Sequence, residues 1–415
     1  MSLENADVIV VGGGASGLMA AGRAAELGAK VLLLEKMGRV GIKLAITGKG
    51  RCNLTNSGDL QSFIENYRHN GKFLYNVFSR FFNQDLVSFF HQKGLPTVEE
   101  RGKRIFPSSN RAKDVVRVLK EYAASCGVKT LIHRPVRSVR QENGAVIGVQ
   151  TDSGPHLAPR VILATGGASY PQTGSTGDGY RMAREMGHTL VPIRPALVPL
   201  EAEEGYLRGL QGLSLKNVRA TLLSRGCKVE EEFGEMLFTH FGISGPIVLT
   251  LSGSAVEEFP RGKVELSIDF KPALTREQVD QRLLREFRGE GKKKVSNILR
   301  NLLPHRMVPV FLQRAEVPPD QKGGEIPAGV RGRMVNLLKD WRLTLRRARP
   351  LEEAIISAGG VSVKEIHPST MESRIVRGLH FCGEVLDIDG KTGGYNLQAA
   401  FSTGWAAGEA AAKGR

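Results

Sequence analysis

The feature that most constrains the fold is a glycine-rich turn between an apolar run and an alanine-rich segment near the N-terminus. Residues 6–11 (ADVIVV) are rich in β-branched side chains, and Gly12, Gly14 and Gly17 follow in GxGxxG spacing. Residues 31–35 (VLLLE) form a second apolar run. This order predicts a strand, a tight turn, a helix and a parallel strand, which is the βαβ unit of dinucleotide-binding proteins.

Each residue of the predicted turn has a separate task. Gly12 permits the tight turn, Gly14 lets the backbone approach a pyrophosphate, and Gly17 lets the helix pack closely on the strand. The helix N-terminus then directs unpaired N–H groups at the phosphates. Glu35 ends the second strand 23 residues after Gly12, where its carboxylate can accept hydrogen bonds from ribose hydroxyls.

The C-terminal region favours FAD over NAD as the dinucleotide. Gly383 and Glu384 follow a strand-like run, and residues 392–408 (TGGYNLQAAFSTGWAAG) open another helix with two glycines at its start. A second helix N-terminus suits the pyrimidine oxygens of a flavin, where negative charge develops on reduction.

Since the chain has one complete GxGxxG, no dedicated NADPH domain is predicted. NADPH or NADH is expected only as a transient electron donor, with another protein as the alternative donor.

The outer thirds of the sequence predict one α/β domain, and the middle predicts an insert. From about Val191 the pattern changes to prolines and alternating segments such as KVELSIDF, which indicate antiparallel strands. Between about 274 and 345 the spacing is helical, including VNLLKDWRLTLRR. The insert is therefore interpreted as β-rich with a small helical subdomain.

The net charge of +16 is concentrated in two segments. Residues 281–350 hold 17 Lys or Arg against 6 Asp or Glu, and residues 101–140 hold 11 against 2. A solvated face is the ordinary interpretation of such runs, but this concentration favours RNA or another polyanion. Phe287, His305, Phe311 and Trp341 lie at helical spacing and could stack on bases, but they are expected in the core. The candidate RNA-binding residues are Lys292, Lys293, Lys294, Arg331, Arg333, Arg346 and Arg347.

Cysteine usage and the N-terminal residues predict a cytoplasmic protein. The four cysteines are dispersed and form no CxxC pair, so neither a disulfide framework nor a metal site is expected. The first residues, MSLENAD, lack the pattern of a signal peptide, and the longest uncharged stretch is interrupted by polar residues and proline. No membrane contact is predicted.

Six segments together resemble a bacterial family of FAD-dependent proteins. Its members are described as aminoacetone oxidase-like, BaiN-type or NAD(P)/FAD-dependent oxidoreductases, and they include ribosomal RNA dihydrouridine synthases. Lys49 departs from the SGGGRCN pattern of the family. The resemblance is carried by VGGGASGLMAA (11–21), GIKLAITGKGRCNLTN (41–56), RIFPSSNRAKDV (104–115), ATGGASYPQTGSTGDGY (164–180), GEMLFTHFGISGP (234–246) and GEVLDIDGKTGGYNLQAAFSTG (383–404).

The resemblance implies a fold and its domain boundaries. The expected class is α/β, with a Rossmann-like three-layer FAD-binding domain, an inserted β-barrel-like domain and a small helical subdomain. The FAD-binding domain would cover 1–190 and 355–415, the β-rich insert 191–273 and 331–354, and the helical subdomain 274–330.

Candidate site residues follow from the motifs and the resemblance together. In the loop 47–53, Arg51 would offset negative charge and Asn53 would hydrogen-bond the cofactor, whereas the plainer interpretation is an ordinary glycine turn. Asp178 is expected as a helix N-cap. The remaining cofactor contacts are expected at Ala15, Ser16, Lys36, Gly48, Cys52, Val136, Thr165, Gly166, Gly167, Gly383, Glu384, Gly394, Tyr395, Asn396, Leu397 and Gln398.

Two residues are candidate proton donors. Cys52 would act as a general acid if neighbouring cations tuned its thiol, although a lone cysteine commonly packs as a small apolar residue. By resemblance, His240 lies in a segment facing the flavin and would donate a proton or bind substrate. A histidine satisfied by local backbone is the alternative.

Three functions are consistent with these features. The first is reduction of uridine to 5,6-dihydrouridine in 23S ribosomal RNA by hydride transfer from reduced flavin N5. The second is a small-molecule flavoenzyme, either an amine oxidase or a C=C reductase. The third is an RNA-binding or assembly factor stabilised by FAD. The first uses both the predicted cofactor and the concentrated positive charge, so it is the expected function.

Overall fold

The computed structural model of the protein describes residues 6–414. It contains two compact units, the outer unit, formed by the chain up to Arg194 and from Ile355 onward, and the inner unit, Pro195–Ala354. The strands are β1 (Val8–Val11), β2 (Val31–Leu34), β3 (Thr55–Asn56), β4 (Thr97–Glu100), β5 (Arg104–Pro107), β6 (Lys129–Leu131), β7 (Val136–Glu142), β8 (Ala145–Thr151), β9 (Gly154–Leu157), β10 (Arg160–Leu163), β11 (Leu190–Ala196), β12 (Leu200–Ala202), β13 (Ser214–Ser224), β14 (Cys227–Phe238), β15 (Gly242–Ser244), β16 (Val264–Asp269), β17 (Trp341–Ala348), β18 (Ile356–Val361) and β19 (Leu379–Phe381).

Helices alternate with these strands in the outer unit and gather in one stretch of the inner unit. They are α1 (Ala15–Glu26), α2 (Ile42–Gly50), α3 (Leu60–Glu65), α4 (Tyr75–Phe78), α5 (Asn83–Gln92), α6 (Ala112–Ser125), α7 (Asp178–Glu185), α8 (Pro246–Glu258), α9 (Arg276–Gly289), α10 (Val295–Ile298), α11 (Val308–Ala315), α12 (Ala328–Lys339) and α13 (Tyr395–Lys413). None of them, within residues 6–414, combines the length and apolar character needed to cross a bilayer.

A parallel sheet in the order β19-β10-β1-β2-β6 forms the centre of the outer unit. Every residue of β1 (VIVV) and β2 (VLLL) is buried, because a parallel sheet in an α/β protein is covered on both faces. Helices α1 and α13 pack against this sheet, and β8 of the antiparallel sheet β7-β8-β9 contacts β10. These three layers confirm the predicted Rossmann-like class.

Helices α1 and α13 bring the two ends of the chain together. A Cβ on Gly404 would lie 2.4 Å from the Ser16 carbonyl oxygen, and one on Gly408 would lie 2.3 Å from that of Ala20. Only hydrogen at these positions permits such close helix packing. Two glycines on one face of α13 therefore set the distance between the first and last helices of the outer unit.

The inner unit is a closed antiparallel barrel with helices packed on it. Its strands follow the order β12-β15-β14-β13-β16-β17, so β17 closes the ring between β16 and β12. Helices α9 to α12 form the helical part, and their apolar faces share one core with the barrel. The predicted β-barrel-like insert is confirmed.

Two details of the helical prediction are wrong. The boundary at 330/331 falls inside α12, which continues to Lys339, and residues 341–348 form strand β17 rather than a helix. Trp341 and Leu343 are fully buried while Arg342 is exposed, so side chains here alternate with period two and fill the barrel. Over so short a run the sequence fits both the helical and the strand periodicity. Pairing of this segment with its two neighbours in the closed barrel determines that it forms a strand.

Three of the four aromatic side chains expected in the core of this region are buried, whereas His305 is exposed, so the expectation for His305 is wrong. Trp341 and Phe311 have no exposed surface and their rings stack with centroids 6.1 Å apart. Phe287 is also buried. These three rings therefore pack the inner unit and are not exposed to a nucleic acid.

A buried histidine links three segments of the outer unit. The His188 side chain is fully buried, with Nδ1 3.1 Å from a Glu365 carboxylate oxygen and Nε2 2.9 Å from Ser373 Oγ. Burial lowers the pKa of His188, because it penalises the imidazolium, although Glu365 acts in the opposite direction. The Ser373 hydroxyl also accepts the N–H groups of Ile375 and Val376, so this array is a structural clamp.

Replacing Gly408 by alanine should destabilise the outer unit by about 1–3 kcal/mol, because the new methyl group has no room against the Ala20 carbonyl. Urea unfolding monitored by circular dichroism measures the change. Gly329→Ala is the matched control, since nothing lies within 4 Å of a Cβ there and alanine favours a helix. Equal stability of Gly408→Ala and the wild type would show that the helix contact is not limiting.

Stability should fall as the pH drops below about 6.5, because an unfolded His188 binds a proton there while the folded one resists it. The contribution of one such group approaches 1.4 kcal/mol per pH unit at most. His188→Gln should reduce the pH dependence of the urea midpoint, and the remaining slope includes His156 and His380, whose pKa burial also lowers. His305→Gln, at an exposed position, is the control. A slope in His188→Gln equal to that of the wild type would contradict the assignment.

Candidate functional site

The turn between β1 and α1 is built for close approach by a ligand. Gly12 has a φ of 102° and a Cβ there would lie 2.5 Å from the Ala164 carbonyl oxygen, while a Cβ on Gly17 would lie 1.9 Å from the Gly12 oxygen. By contrast, nothing lies within 4 Å of where a Cβ on Gly14 would be. The open space at Gly14 lies at the N-terminus of α1, where N–H groups without an intrahelical acceptor can bind phosphate oxygens.

Glu35 lies beside this turn, as predicted from its place after β2. Its carboxylate accepts the Gly13 N–H at 2.7 Å and the Met37 N–H at 2.8 Å. The Glu35 carbonyl accepts the Arg134 N–H at 2.9 Å, which brings the start of β7 at Val136 close to the same strand end. Ribose and adenine contacts are therefore expected from residues that the structure gathers here.

Lys36 lies in this region, but its ammonium group is directed at the protein. It donates to Thr176 and to the Asp178 carboxylate. The N-cap of α7 is Gly177, and Asp178 is the first helical residue, so the predicted cap was wrong. Lys36 holds the pKa of Asp178 below its usual value, although burial acts in the opposite direction as the largest single influence.

A buried polar cluster joins the ends of β10 and β19. Lys43 Nζ donates to Glu384 at 2.8 Å and to Ser169 Oγ at 2.7 Å. The second Glu384 oxygen accepts the Ser357 N–H at 2.8 Å, and a Cβ on Gly167 would lie 2.6 Å from it. The predicted residues Gly167 and Glu384 thus lie next to each other, and Lys43 binds the Glu384 carboxylate. Sequence reasoning missed Lys43, although it lies in the quoted segment GIKLAITGKGRCNLTN.

The loop 47–53 has a strongly irregular backbone. Helix α2 loses its helical geometry at Thr47, and Gly48, Lys49 and Cys52 have φ values of 56°, 58° and 61°. The left-handed conformation of a lysine and a cysteine is unfavourable and concentrates at functional sites. Lys49, the residue that departs from the family pattern, therefore has a backbone conformation that glycine adopts at lower cost.

Two expectations for this loop change in the structure. The Arg51 guanidinium pairs with Glu100 and Asn110 and lies 4.3 Å from the Phe106 ring centroid, so protein groups already balance its charge. Cys52 has no exposed surface, and burial raises the pKa of its thiol to about 12. Neighbouring cations therefore do not tune Cys52.

The N-terminus of α13 lies against the same loop. Gly394, with a φ of 103°, would place a Cβ 2.4 Å from the Thr55 carbonyl oxygen, two residues after Asn53. Asn396 holds the preceding turn by bonds to Gly390, accepting its N–H at 2.8 Å and donating to its oxygen at 2.7 Å. Tyr395, Leu397 and Gln398 form the first turn of the helix.

Three buried polar atoms of this region are consistent with a bound ligand. Among residues 6–414, Asn53 Oδ1, Thr165 Oγ1 and Gln398 Oε1 are buried and have no hydrogen-bond partner. Such atoms are costly in a native protein and indicate a bound group. They lie on the three segments already assigned to the cofactor, at the loop 47–53, after β10 and in α13. Together with the open space at Gly14, they fit FAD.

The contact of Ser16 with Gly383 completes the arrangement. A Cβ on Gly383 would lie 2.4 Å from Ser16 Oγ, and the Gly383 N–H donates to Thr403 Oγ1 at 3.0 Å. Gly166, with a φ of 71°, follows Thr165 in the turn after β10. The outer unit thus collects the predicted cofactor residues at the carboxyl ends of its parallel strands, where ligands of doubly wound sheets bind.

The other predicted residues belong to the inner unit. His240 is exposed in the turn between β14 and β15, and its ring packs against Phe241 at a centroid distance of 5.0 Å. Ion pairs hold four of the predicted RNA-binding residues, Lys293 with Glu290, Arg331 with Asp280, Arg333 with Glu316 and Arg347 with Glu201. Within residues 6–414, Lys292, Lys294 and Arg346 are exposed and have no ion-pair partner.

Comparisons with known proteins identify the family of this chain. The family described as "HI0933-like protein Rossmann domain" matches residues 6–410. The chain is 33% identical to a 3-dehydro-bile acid delta(4,6)-reductase of Clostridium scindens, covering 97% of this chain and 98% of that protein. It is 31% identical to a ribosomal RNA dihydrouridine synthase of Haemophilus influenzae, with 96% of each covered.

One solved structure shares the fold at low identity. It is a 3-ketosteroid delta1-dehydrogenase of Sterolibacterium denitrificans, 15% identical, with a TM-score of 0.56 over 99% of this chain and 100% of that one. This likeness concerns the fold alone, and it supports the three-layer architecture with an inserted domain.

Replacing Gly14 by valine should remove FAD without unfolding the outer unit. The side chain enters open space, and the backbone conformation, with φ −81° and ψ −165°, suits a β-branched residue. We expect FAD affinity to fall at least tenfold, or by about 1.4 kcal/mol, because the valine occupies the space for the phosphates. Flavin absorbance per polypeptide measures this, with Gly205→Val as control, since it also enters open space. Full FAD content in Gly14→Val would refute the assignment.

Proposed function

The chain belongs to the HI0933-like family and is a FAD-dependent oxidoreductase, and we propose that it reduces uridine to 5,6-dihydrouridine in ribosomal RNA of the large subunit. The observation that carries the proposal is the match to a ribosomal RNA dihydrouridine synthase over 96% of both chains in a protein with a net charge of +16. A polyanionic substrate accounts for that charge. The proposal places the protein in the cytoplasm.

The reaction is a conjugate reduction. The C5=C6 bond of uracil is conjugated with the C4 carbonyl, so a hydride added at C6 moves electron density towards C5 and the carbonyl oxygen. Reduced FAD, when bound, supplies that hydride from N5. A proton delivered to C5 then completes the addition of two hydrogens, and this proton must come from a group of the protein or from water.

The proton is assigned to His240 rather than to Cys52. The imidazole is exposed, and a general acid must reach the atom that it protonates. The Cys52 thiol has no exposed surface, and its pKa is raised to about 12 by burial. A thiol in that environment packs in the core, so its role is structural.

Exposed cations of the inner unit would hold the RNA phosphates. Lys292, Lys294 and Arg346 are not engaged in ion pairs within residues 6–414, so they can neutralise phosphates without first breaking a protein contact. Phosphate neutralisation supplies most sequence-independent affinity. Because the sequence has one complete GxGxxG, either NADPH or NADH would reduce the flavin directly as a transient donor or another protein would supply the electrons.

A C=C reductase of small molecules is the second candidate. It is favoured by the 33% identity to a bile acid delta(4,6)-reductase over nearly the whole of both chains. The chemistry is closely related, since that relative's name also indicates reduction of a carbon–carbon double bond. The two candidates therefore differ in what the protein binds and agree in the type of reaction.

Deleting the gene should abolish one or more dihydrouridine sites of large-subunit ribosomal RNA, mapped by chemical probing or mass spectrometry. Complementation with the wild type should restore them, and Gly14→Val should not. We expect His240→Gln to lower the modification rate by roughly 10²-fold or more at unchanged FAD content. Persistence of every site in the deletion strain would overturn the proposal, and NADPH-dependent reduction of a steroid enone would then favour the second candidate.

A further inference from the structure

The inner unit contains an open cavity that no part of the proposed reaction uses. Its volume is about 640 Å³, within the range of roughly 300–1,000 Å³ that ligand sites occupy. Strands β13 and β14 form one wall, and the loop after β16 with helix α9 forms the other. The lining residues are Lys216, Asn217, Arg219, Phe233, Phe270, Lys271, Pro272, Ala273, Leu274 and Arg282.

The charged residues of the lining are all cations, namely Lys216, Arg219, Lys271 and Arg282. Within residues 6–414, Lys216 and Lys271 have no ion-pair partner. Arg219 and Arg282 have only long contacts, 3.7 Å to Glu231 and 3.9 Å to Glu286.

The acid at the end of β16 is engaged outside this cluster. Asp269, which lies opposite Arg219 in the β13–β16 ladder, pairs with Lys339 at 2.6 Å, a lysine outside the lining. Burial lowers the pKa of Lys271, and the positive charge of Arg282 acts in the same direction. A bound anion would offset that charge.

An exposed aromatic ring lies among these cations. Phe233 is 53% exposed, more than any other large apolar side chain in residues 6–414. It lies directly opposite Arg219 across the β13–β14 ladder, so the two side chains share one face of the sheet. An exposed ring next to a guanidinium is a typical platform for a nucleic-acid base.

An irregularity of strand β13 lies in the wall of the cavity. The register with β14 shifts between Leu215 and Val218, and Asn217 has a φ of 54°. Bulges of this kind redirect side chains and often lie next to binding sites. Here the shift separates Lys216 from its ladder partner and leaves both Lys216 and Asn217 exposed on the cavity side.

We propose that this cavity binds a single-stranded segment of the ribosomal RNA substrate, with one base stacked on Phe233 and neighbouring phosphates held by Lys216, Lys271 and Arg282. The inference rests on the proposed function and adds a second point of contact with the RNA. Single strands are favoured over duplex because a base must leave its stack to lie on the ring. An acidic peptide would use the cations but would leave the exposed ring without a stacking partner.

Binding of a short labelled oligoribonucleotide to the FAD-loaded full chain tests the proposal by fluorescence anisotropy. Phe233→Ala should weaken binding about tenfold. The double variant Lys216→Glu/Arg282→Glu should weaken it further and reduce the slope of log affinity against log salt by about 1.4, for two lost phosphate contacts. Two matched controls lie outside the lining, Arg208→Glu and Val229→Ala, which change one exposed cation and one exposed apolar side chain. Both should bind like the wild type.

Three outcomes would overturn the cavity assignment. They are unchanged affinity in Phe233→Ala and the double variant, equal weakening in the controls, and full displacement of the oligonucleotide by NADPH, which would make the cavity a site for the electron donor.

Complementation of the deletion strain separates this inference from the proposed function. If the wild type restores dihydrouridine and the double variant restores it equally, the function stands and the cavity assignment fails. If no dihydrouridine depends on the gene but the variants lose oligonucleotide binding, the cavity assignment stands and the function fails.

Discussion

The close contact between helix α1 and helix α13 is the constraint on which the rest of the outer unit depends. Because Gly404 and Gly408 carry no Cβ, helix α13 packs directly against the backbone of helix α1 at these positions. The same contact brings Gly383 against Ser16 and Gly394 against Thr55. The glycine turn, the loop 47–53 and the start of α13 therefore share one region, although hundreds of residues separate them along the chain. A substitution in α13 that moved it outward would disturb all three together.

The pattern of apolar runs predicts the central sheet well. Strands β1, β2, β10 and β19 all lie in short, mostly apolar runs that are followed within three residues by glycine or an acid, because buried parallel strands leave a continuous apolar signal. Strand β17 was missed, since its arginines and leucines also fit a helical spacing and only its neighbours in the barrel decide its conformation. The boundary inside α12 was misplaced for the same reason.

The side-chain partners of the candidate site could not be predicted in the same way. The Lys43–Glu384 pair joins residues 341 positions apart, and no local pattern marks either as the other's partner. The burial of Cys52 and the pairing of Arg51 with Glu100 also depend on packing between distant segments. Counting charge located the positive excess in residues 281–350 and 101–140. It did not distinguish Arg331 and Arg347, which are engaged by Asp280 and Glu201, from Lys292 and Lys294.

The unpaired atoms Asn53 Oδ1, Thr165 Oγ1 and Gln398 Oε1 have a consequence for the life of the protein in the cell. Each would contribute unfavourably to folding until a ligand pairs with it, so binding of FAD would stabilise the fold and a shortage of it would lower the stability of the chain. Newly made chains in riboflavin-starved cells would open locally more often in this region and be degraded sooner. The amount of this enzyme would then track nutrition even where its gene is transcribed at a constant rate.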